Sequence, residues 1–149
     1  MGILQRWFNF PYRLGDPYIT DKQGRKFWVA WDEDESVASL YVFYRGFPRG
    51  NVNFVWDKDK DKCLILADIF TDPKFRCQGL GYAMWQESMI WARKNRAIYI
   101  WGWIQPHDGA TLEDDIRWYQ RQGFRVEPEE NKHYIFLPSN LQIGNYICP

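Results

Sequence analysis

The sequence predicts an α/β protein, a mixed sheet with helices on its faces. Three observations predict it. Four β-rich segments follow one another between residues 27 and 71, separated by short charged turns. From residue 79 the pattern changes to a wide apolar band at helical spacing. A nearly all-apolar segment then precedes a second capped helix, and this strand–helix alternation marks a layered α/β fold.

Each element has its own signal. "FWVAWD", residues 27–32, and "ASLYVFY", 38–44, are rich in β-branched and aromatic residues, with "DEDE" as a charged turn between them. "RGFPRG" turns the chain, and "NVNFVWD", 51–57, alternates polar and apolar as a half-buried strand does. After a second charged turn, "CLILADIFT", 63–71, is the fourth strand. Residues 79–95 are a helix with Leu80, Ala83, Met84 and Trp91 in its apolar band, flanked by Trp85, Met89 and Ile90. Arg93, Lys94 and Arg96 complement the dipole at its C-terminal end. "AIYIWGWI", 97–104, is apolar enough to be a central strand. Thr111 caps a second helix, Glu113, Asp114 and Asp115 fill its first turn, and Gly123 stops it. "HYIFL", 133–137, is a sixth strand, and "LQIGNYI" in the tail is a candidate seventh. The 149 residues contain no repeat or linker and fit one domain, 1–149.

Composition narrows the function classes. Nineteen basic residues balance nineteen acidic ones, so a general electrostatic footprint for nucleic acid is absent. Cys63, Cys77 and Cys148 are an odd number without framework spacing, which points to a reducing compartment. None has a second Cys or His at ligand spacing, so no metal is expected. The acidic run "DKDKDK" has Lys62 where a calcium loop needs glycine, and reads as a solvated hairpin turn. With no long apolar run at the N-terminus, a cytoplasmic protein with no membrane contact is expected.

The chemistry-bearing stretch is Arg76-Cys77-Gln78-Gly79-Leu80-Gly81, between the fourth strand and the first long helix. Free N–H groups and the positive dipole end make a helix start an anion site, and glycines let an anion approach. A plain tight turn would use the same residues. A dinucleotide turn would need a third glycine where Met84 stands, and a Walker loop would need Gly-Lys-Ser/Thr.

The context is more specific. "PKFRCQGLG" closely resembles the acetyl-CoA-binding motif of the GNAT superfamily of N-acetyltransferases, and the downstream "IRWYQRQGF" resembles that family's second motif. The resemblance spans roughly residues 63 to 137 and implies a mostly antiparallel central sheet of six to seven strands with helices on both faces. Only "DEDESV" separates the first two predicted strands, so the family's N-terminal helices are either missing or held in reduced form by residues 1–26. An Asn frequent early in the second motif is replaced by Leu112. The implied cofactor is acetyl-CoA. Its diphosphate would meet the backbone N–H groups of Cys77, Gln78, Gly79, Leu80 and Gly81, with Arg76 at the entrance. Its pantetheine arm would pair with Ile69, Phe70 and Thr71, where the strand splays from its neighbour.

Acetyl transfer to an amine needs a proton for the leaving thiolate, donors for the oxyanion and a base for the amine. By motif position Tyr119 is the acid, and a phenol is protonated at pH 7. The backbone N–H near Ile69 or Phe70 is the oxyanion donor. For the base, Asp68 stands in an otherwise apolar strand, "LILADIF", where it is either the base or half of a structural ion pair. His107 is a weaker candidate, and His133 reads as a strand surface residue. Trp31, Trp101 and Trp103 either line the acceptor cleft or pack in the core. The acceptor would be a primary amine on a small molecule or protein. Homodimers are common in that family. The alternatives are a non-catalytic module on the same fold, or a toxin-like acetyltransferase of aminoacyl-tRNA.

Overall fold

The computed structural model describes residues 18–105 and 109–137. Eight strands form one sheet in the order β1-β2-β3-β4-β5-β6-β8-β7. The strands are β1 (Tyr18–Thr20), β2 (Lys26–Glu33), β3 (Val37–Tyr44), β4 (Phe47–Trp56), β5 (Cys63–Thr71), β6 (Tyr99–Trp103), β7 (Arg125–Glu129) and β8 (Lys132–Leu137). The two helices are α1 (Leu80–Lys94) and α2 (Leu112–Arg121). Every neighbouring pair is antiparallel except β5–β6, which is parallel and joined by α1. A parallel pair needs such a crossover, whereas antiparallel neighbours need only tight turns.

Those turns follow from the sequence. Arg45 and Gly46, both at positive φ, make the two-residue β3–β4 connection that suits the twist of a hairpin. Residues 34–36 are all that separates β2 from β3, and Asp34 Oδ1 accepts from the amides of Ser36 and Val37. Among the described residues, then, the family's N-terminal helices are absent between these strands. The two helices fall where their caps predict. Thr111 Oγ1 accepts from the Asp114 amide, and Gly123 leaves α2 at φ +95°.

Two strands escape the sequence reading. β1 is only three residues long. β7, "RVEPE", holds a proline and three charges, which an edge strand tolerates and a central one does not. The sheet therefore has eight strands where six to seven are expected. β4 also starts earlier than predicted, at Phe47, with Pro48 beside the bulge at Val42/Phe43. The tail "LQIGNYI" lies outside the described residues.

One core joins the sheet to both helices. Phe27, Val29, Leu40, Val42, Val52, Phe54, Leu64, Ile100 and Ile135 meet Leu80, Met84, Trp85, Met89 and Trp91 of α1. Leu112, Ile116, Trp118 and Tyr119 of α2 pack against the same cluster. The sequence reading put helices on both faces; the two described helices share one. Trp31 belongs to this core, stacked on Trp91 at 4.9 Å, so it is not a cleft residue. Trp101 and Trp103 lie half-buried on the opposite face.

Candidate functional site

The site begins where the sheet parts. β5 and β6 pair from Cys63–Tyr99 to Leu66–Gly102 and no further. At Gly102 an added Cβ would lie 2.7 Å from the Leu66 carbonyl oxygen, so the backbones touch at the last pair. The β4–β5 register then skips Ala67, with Phe54 opposite Leu66 and Asn53 opposite Asp68. An extra residue in one strand bends it and raises its twist, and such bulges often sit beside active sites. Beyond it, residues 68–71 keep β4 as partner and leave their other edge open.

The polarity of that edge can be assigned. The Asp72 amide donates to the Arg49 carbonyl at 2.7 Å, which fixes one hydrogen-bonded pair of the ladder. Alternation then points the peptide groups of Phe70 and Asp68 at β4, and those of Ile69 and Thr71 at the open edge. Thr71 agrees, because its carbonyl accepts from Arg76 Nε at 3.0 Å. Of the two predicted oxyanion donors, the geometry thus leaves the Ile69 amide facing the opening.

The open edge leads into the glycine turn, which is clamped on three sides. Asp72 caps the short 3₁₀ turn Pro73–Phe75 by accepting from the Lys74 amide, and it pairs with Arg49 at 2.8 Å. The Lys74 amide first, then the Arg49 side chain, hold the Asp72 carboxyl below the ordinary range. Phe75, 6% exposed, has the Arg25 and Arg49 guanidinium groups 4.6 and 4.9 Å from its ring centroid, and Phe27 and Tyr44 edge-on. Arg25 is itself fixed by buried Asp21 at 2.7 Å. Gln78 is held from the β1–β2 turn: its carbonyl accepts from the Lys22 amide at 2.7 Å, and its Oε1 from Gln23 Nε2 at 3.0 Å.

Past this clamp the helix starts without a side-chain cap. Gly79 is the N-cap at φ +83°, and no acidic residue stands in the first turn of α1. The first N–H groups are therefore left for an external acceptor, with the dipole favouring an anion. Cys77 also sits at positive φ, and its exposed thiol is free.

The two glycines differ. A Cβ on Gly79 would lie 2.9 Å from the Lys22 side chain, in addition to the strain of its φ. A Cβ on Gly81 would be in ordinary contact with Thr71 Oγ1 at 3.6 Å and the Trp118 ring at 3.7 Å. The end of β5, the first turn of α1 and the face of α2 thus converge at Gly81. Sequence reasoning missed Trp118 as a lining residue and Lys22 altogether. Lys22 makes no ion pair with a described residue, and only the fold carries it from "DKQG" to the turn.

Tyr119 lies on α2, edge-on to Trp118 and Phe124 at 5.2 and 5.4 Å. Burial first, then the charges of Asp115 and Asp68, push its phenol far above the ordinary value. It therefore holds its proton across the physiological range, and Asp68 is near enough to act on it electrostatically. Asp68 is exposed and has no ion-pair partner among the described residues, so the structural-pair reading finds no support. His107 lies outside the described residues. His133 is half-buried in β8, where its carbonyl accepts from the Ile104 amide. Cys63 is buried, and burial pushes its thiol up. Among the described residues no three His, Cys, Asp or Glu are grouped to hold a metal ion. No helix there is long and apolar enough to cross a membrane.

An uncapped, glycine-started helix fed by an open strand edge fits a long ligand with a diphosphate and an amide-bearing arm. Comparison with known proteins gives the family. The family model for the acetyltransferase (GNAT) domain matches residues 23–126. An uncharacterized N-acetyltransferase of Methanocaldococcus jannaschii is 26% identical over 148 residues, covering 93% of this chain and 62% of its own length. This chain thus spans less than two thirds of that relative. Among solved structures, a Klebsiella pneumoniae protein named as an acyl-CoA N-acyltransferase superposes with a TM-score of 0.60 at 16% identity, over 91% of this chain and 83% of that one. The PaiA N-acetyltransferase of Thermoplasma acidophilum, solved with coenzyme A, gives 0.56 at 15% identity, over 68% and 59%. The ribosomal-protein-S18-alanine N-acetyltransferase of Escherichia coli gives 0.54 at 18%, over 70% and 68%.

Proposed function

The chain belongs to the GNAT acetyltransferase family, and from that premise we propose that it is an acetyl-CoA-dependent N-acetyltransferase acting directly on a primary amine. One observation carries the reading: the open edge of β5 beyond the Ala67 bulge runs straight into the uncapped start of α1. Such an edge pairs with an extended amide chain, and such a helix start takes a diphosphate.

Bound acetyl-CoA would supply an acetyl thioester, whose C–S bond is exchanged for a C–N bond to the amine. The N–H groups of Cys77 to Gly81 would hold the diphosphate, with Arg76 at the entrance and the Lys22 ammonium adding charge from the β1–β2 turn. Ile69 and Thr71 would pair with the arm, and the Ile69 amide would donate to the carbonyl oxygen as it gains charge. Tyr119, kept protonated by its surroundings, would give its proton to the departing sulfur. Asp68 would take the proton of the incoming amine, directly or through water.

The test is a melting scan with millimolar acetyl-CoA, followed by free-thiol release over a panel of primary amines. A ligand that binds only the folded state raises its melting temperature by mass action. Stabilisation with amine-dependent thiol release is expected. Absence of any shift would overturn the reading, and a shift without thiol release for any amine would favour a non-catalytic coenzyme A-binding module.

A further inference from the structure

The sheet face away from the two described helices carries a polar row that the cofactor reading does not use. Ser39 lies opposite Asn53, and Asn53 opposite Asp68, across β3, β4 and β5. β3 and β4 are interior strands with antiparallel neighbours, so the row lies on the face that alternates away from the core. The flanking row on one side, Val37, Val55 and Ile65, is apolar. On the other side stand Tyr41, Asn51 and Phe70. Ser39 is 6% exposed, Asn51 and Asn53 are half-buried, and Asp68 is exposed. None of these four side chains hydrogen-bonds another described residue. Only Ser39 of these is buried, and Asp32 opposite it on β2 has a partner, so what marks the row is its place in the sheet.

The row ends at Asp68, one residue past the Ala67 bulge, where β5 and β6 part. α1 and its anion site lie on the other face. An amine approaching from the face away from the described helices would therefore reach the opening beside Asp68 without crossing the cofactor's path.

We propose that Ser39, Asn53 and Asp68 form the floor of the acceptor site and select a small polar primary amine. Asp68 receives its ammonium, and Asn53 and Ser39 bind hydroxyl or amide groups farther along the molecule. Directly opposed side chains on neighbouring strands stand about 5 Å apart, so the recognised groups fall within about 10 Å of the amine. Amino sugars and amino-acid amides match this pattern. Alkyl and aryl amines would leave Asn53 and Ser39 without partners, which disfavours them.

This inference rests on the N-acetyltransferase reading, and the experiment separates the two. Thiol release at saturating acetyl-CoA is measured for glucosamine and serinamide against hexylamine and phenethylamine. Asn53→Val and Ser39→Ala are assayed in parallel, with retained stabilisation by acetyl-CoA as the check of folding. Higher kcat/KM for the polar pair is expected. Each variant should raise KM for the polar amine about tenfold, the order of one lost hydrogen bond, with kcat and the KM for acetyl-CoA little changed. Preference for the apolar pair, or variants with unchanged KM, would overturn the acceptor assignment alone. Stabilisation by acetyl-CoA with no turnover of either class would overturn the transferase reading, and the assignment with it.

Discussion

At the scale of single residues, the phenol of Tyr119 sits where burial and the carboxylates of Asp115 and Asp68 all oppose its ionisation. Two consequences follow from one shift. The phenol ionises only above its ordinary value of about 10, so it does not limit the rate on the alkaline side below that pH. Turnover should rise with pH as the acceptor amine deprotonates, with no fall attributable to Tyr119 below about pH 10. Tyr119→Phe should lower kcat about 10²-fold while the KM for acetyl-CoA stays within about threefold. An alkaline limb with an apparent pKa near 8 that Tyr119→Phe abolishes would contradict the shift, and an unchanged rate would remove Tyr119 from the mechanism. The sign for stability is also fixed. The folded value is the higher one, so this contribution is whole below about pH 10 and is lost as pH rises above it. The glycines give a second contrast. Gly79→Ala meets left-handed strain of about 1–2 kcal/mol plus the Lys22 stem, whereas Gly81→Ala should be neutral or stabilising by up to about 1 kcal/mol. Melting temperatures should separate the two by several degrees. The sequence treats these glycines alike, because the conformation of Gly79 and the neighbour at position 22 exist only in the folded chain.

At the scale of elements, the glycine turn is held at one end by Phe75 and at the other by the bonds of Gln78 to the β1–β2 turn. Phe75 is held between two arginines, each tied to an aspartate, Arg25 to Asp21 and Arg49 to Asp72. Phe75→Ala should cost about 3–5 kcal/mol, as large-to-small core changes of an aromatic do. Phe75→Leu keeps most of the volume but loses the cation–ring contacts. It should leave the fold intact by circular dichroism while acetyl-CoA, titrated calorimetrically, binds several-fold more weakly. Equal affinity in Phe75→Leu would show that the clamp does not set the turn. Which elements the sequence discloses follows the same logic of local against distant causes. The start of α2 is legible because Thr111 and Asp114 make the cap between themselves. The end of α1 is legible because its basic residues sit in the last turn. β7 is not, since Pro128 and its charges fit a strand only at the sheet's edge. The Ala67 bulge is invisible for the opposite reason, because a small apolar residue inside a strand carries no signal of a register change. Asn53 and Ser39 likewise read as ordinary polar positions of half-buried strands until the register sets them in one row with Asp68.

At the scale of the molecule, the gap beyond the last β5–β6 pair connects the two faces of the sheet. The face with the described helices carries the open strand edge and the uncapped start of α1; the opposite face carries the polar row ending at Asp68. On the proposed function, reaction between ligands from the two sides would depend on how β5 and β6 part. That divergence starts from a close contact, the Leu66 carbonyl against the Cα of Gly102. Any side chain at 102 must push the two backbones apart at the last pair they share, because the obstructing atom is main chain and cannot rotate away. Gly102→Ala should therefore cost about 1–3 kcal/mol of stability, the range for overpacking a well-filled interior. It should also move the base of the gap, so the stabilisation by saturating acetyl-CoA should shrink more than in Gly50→Ala. In Gly50→Ala an added Cβ meets Met84 Sδ at 2.7 Å and the Phe70 carbonyl oxygen at 2.9 Å, on the closed side of β5. Gly50→Ala thus serves as a matched overpacking control at the neighbouring pair of strands. If both variants lose stability but keep the same ligand shift, the β5–β6 contact is a packing detail. If only Gly102→Ala loses the ligand shift, the width of the gap is set at Leu66 and Gly102.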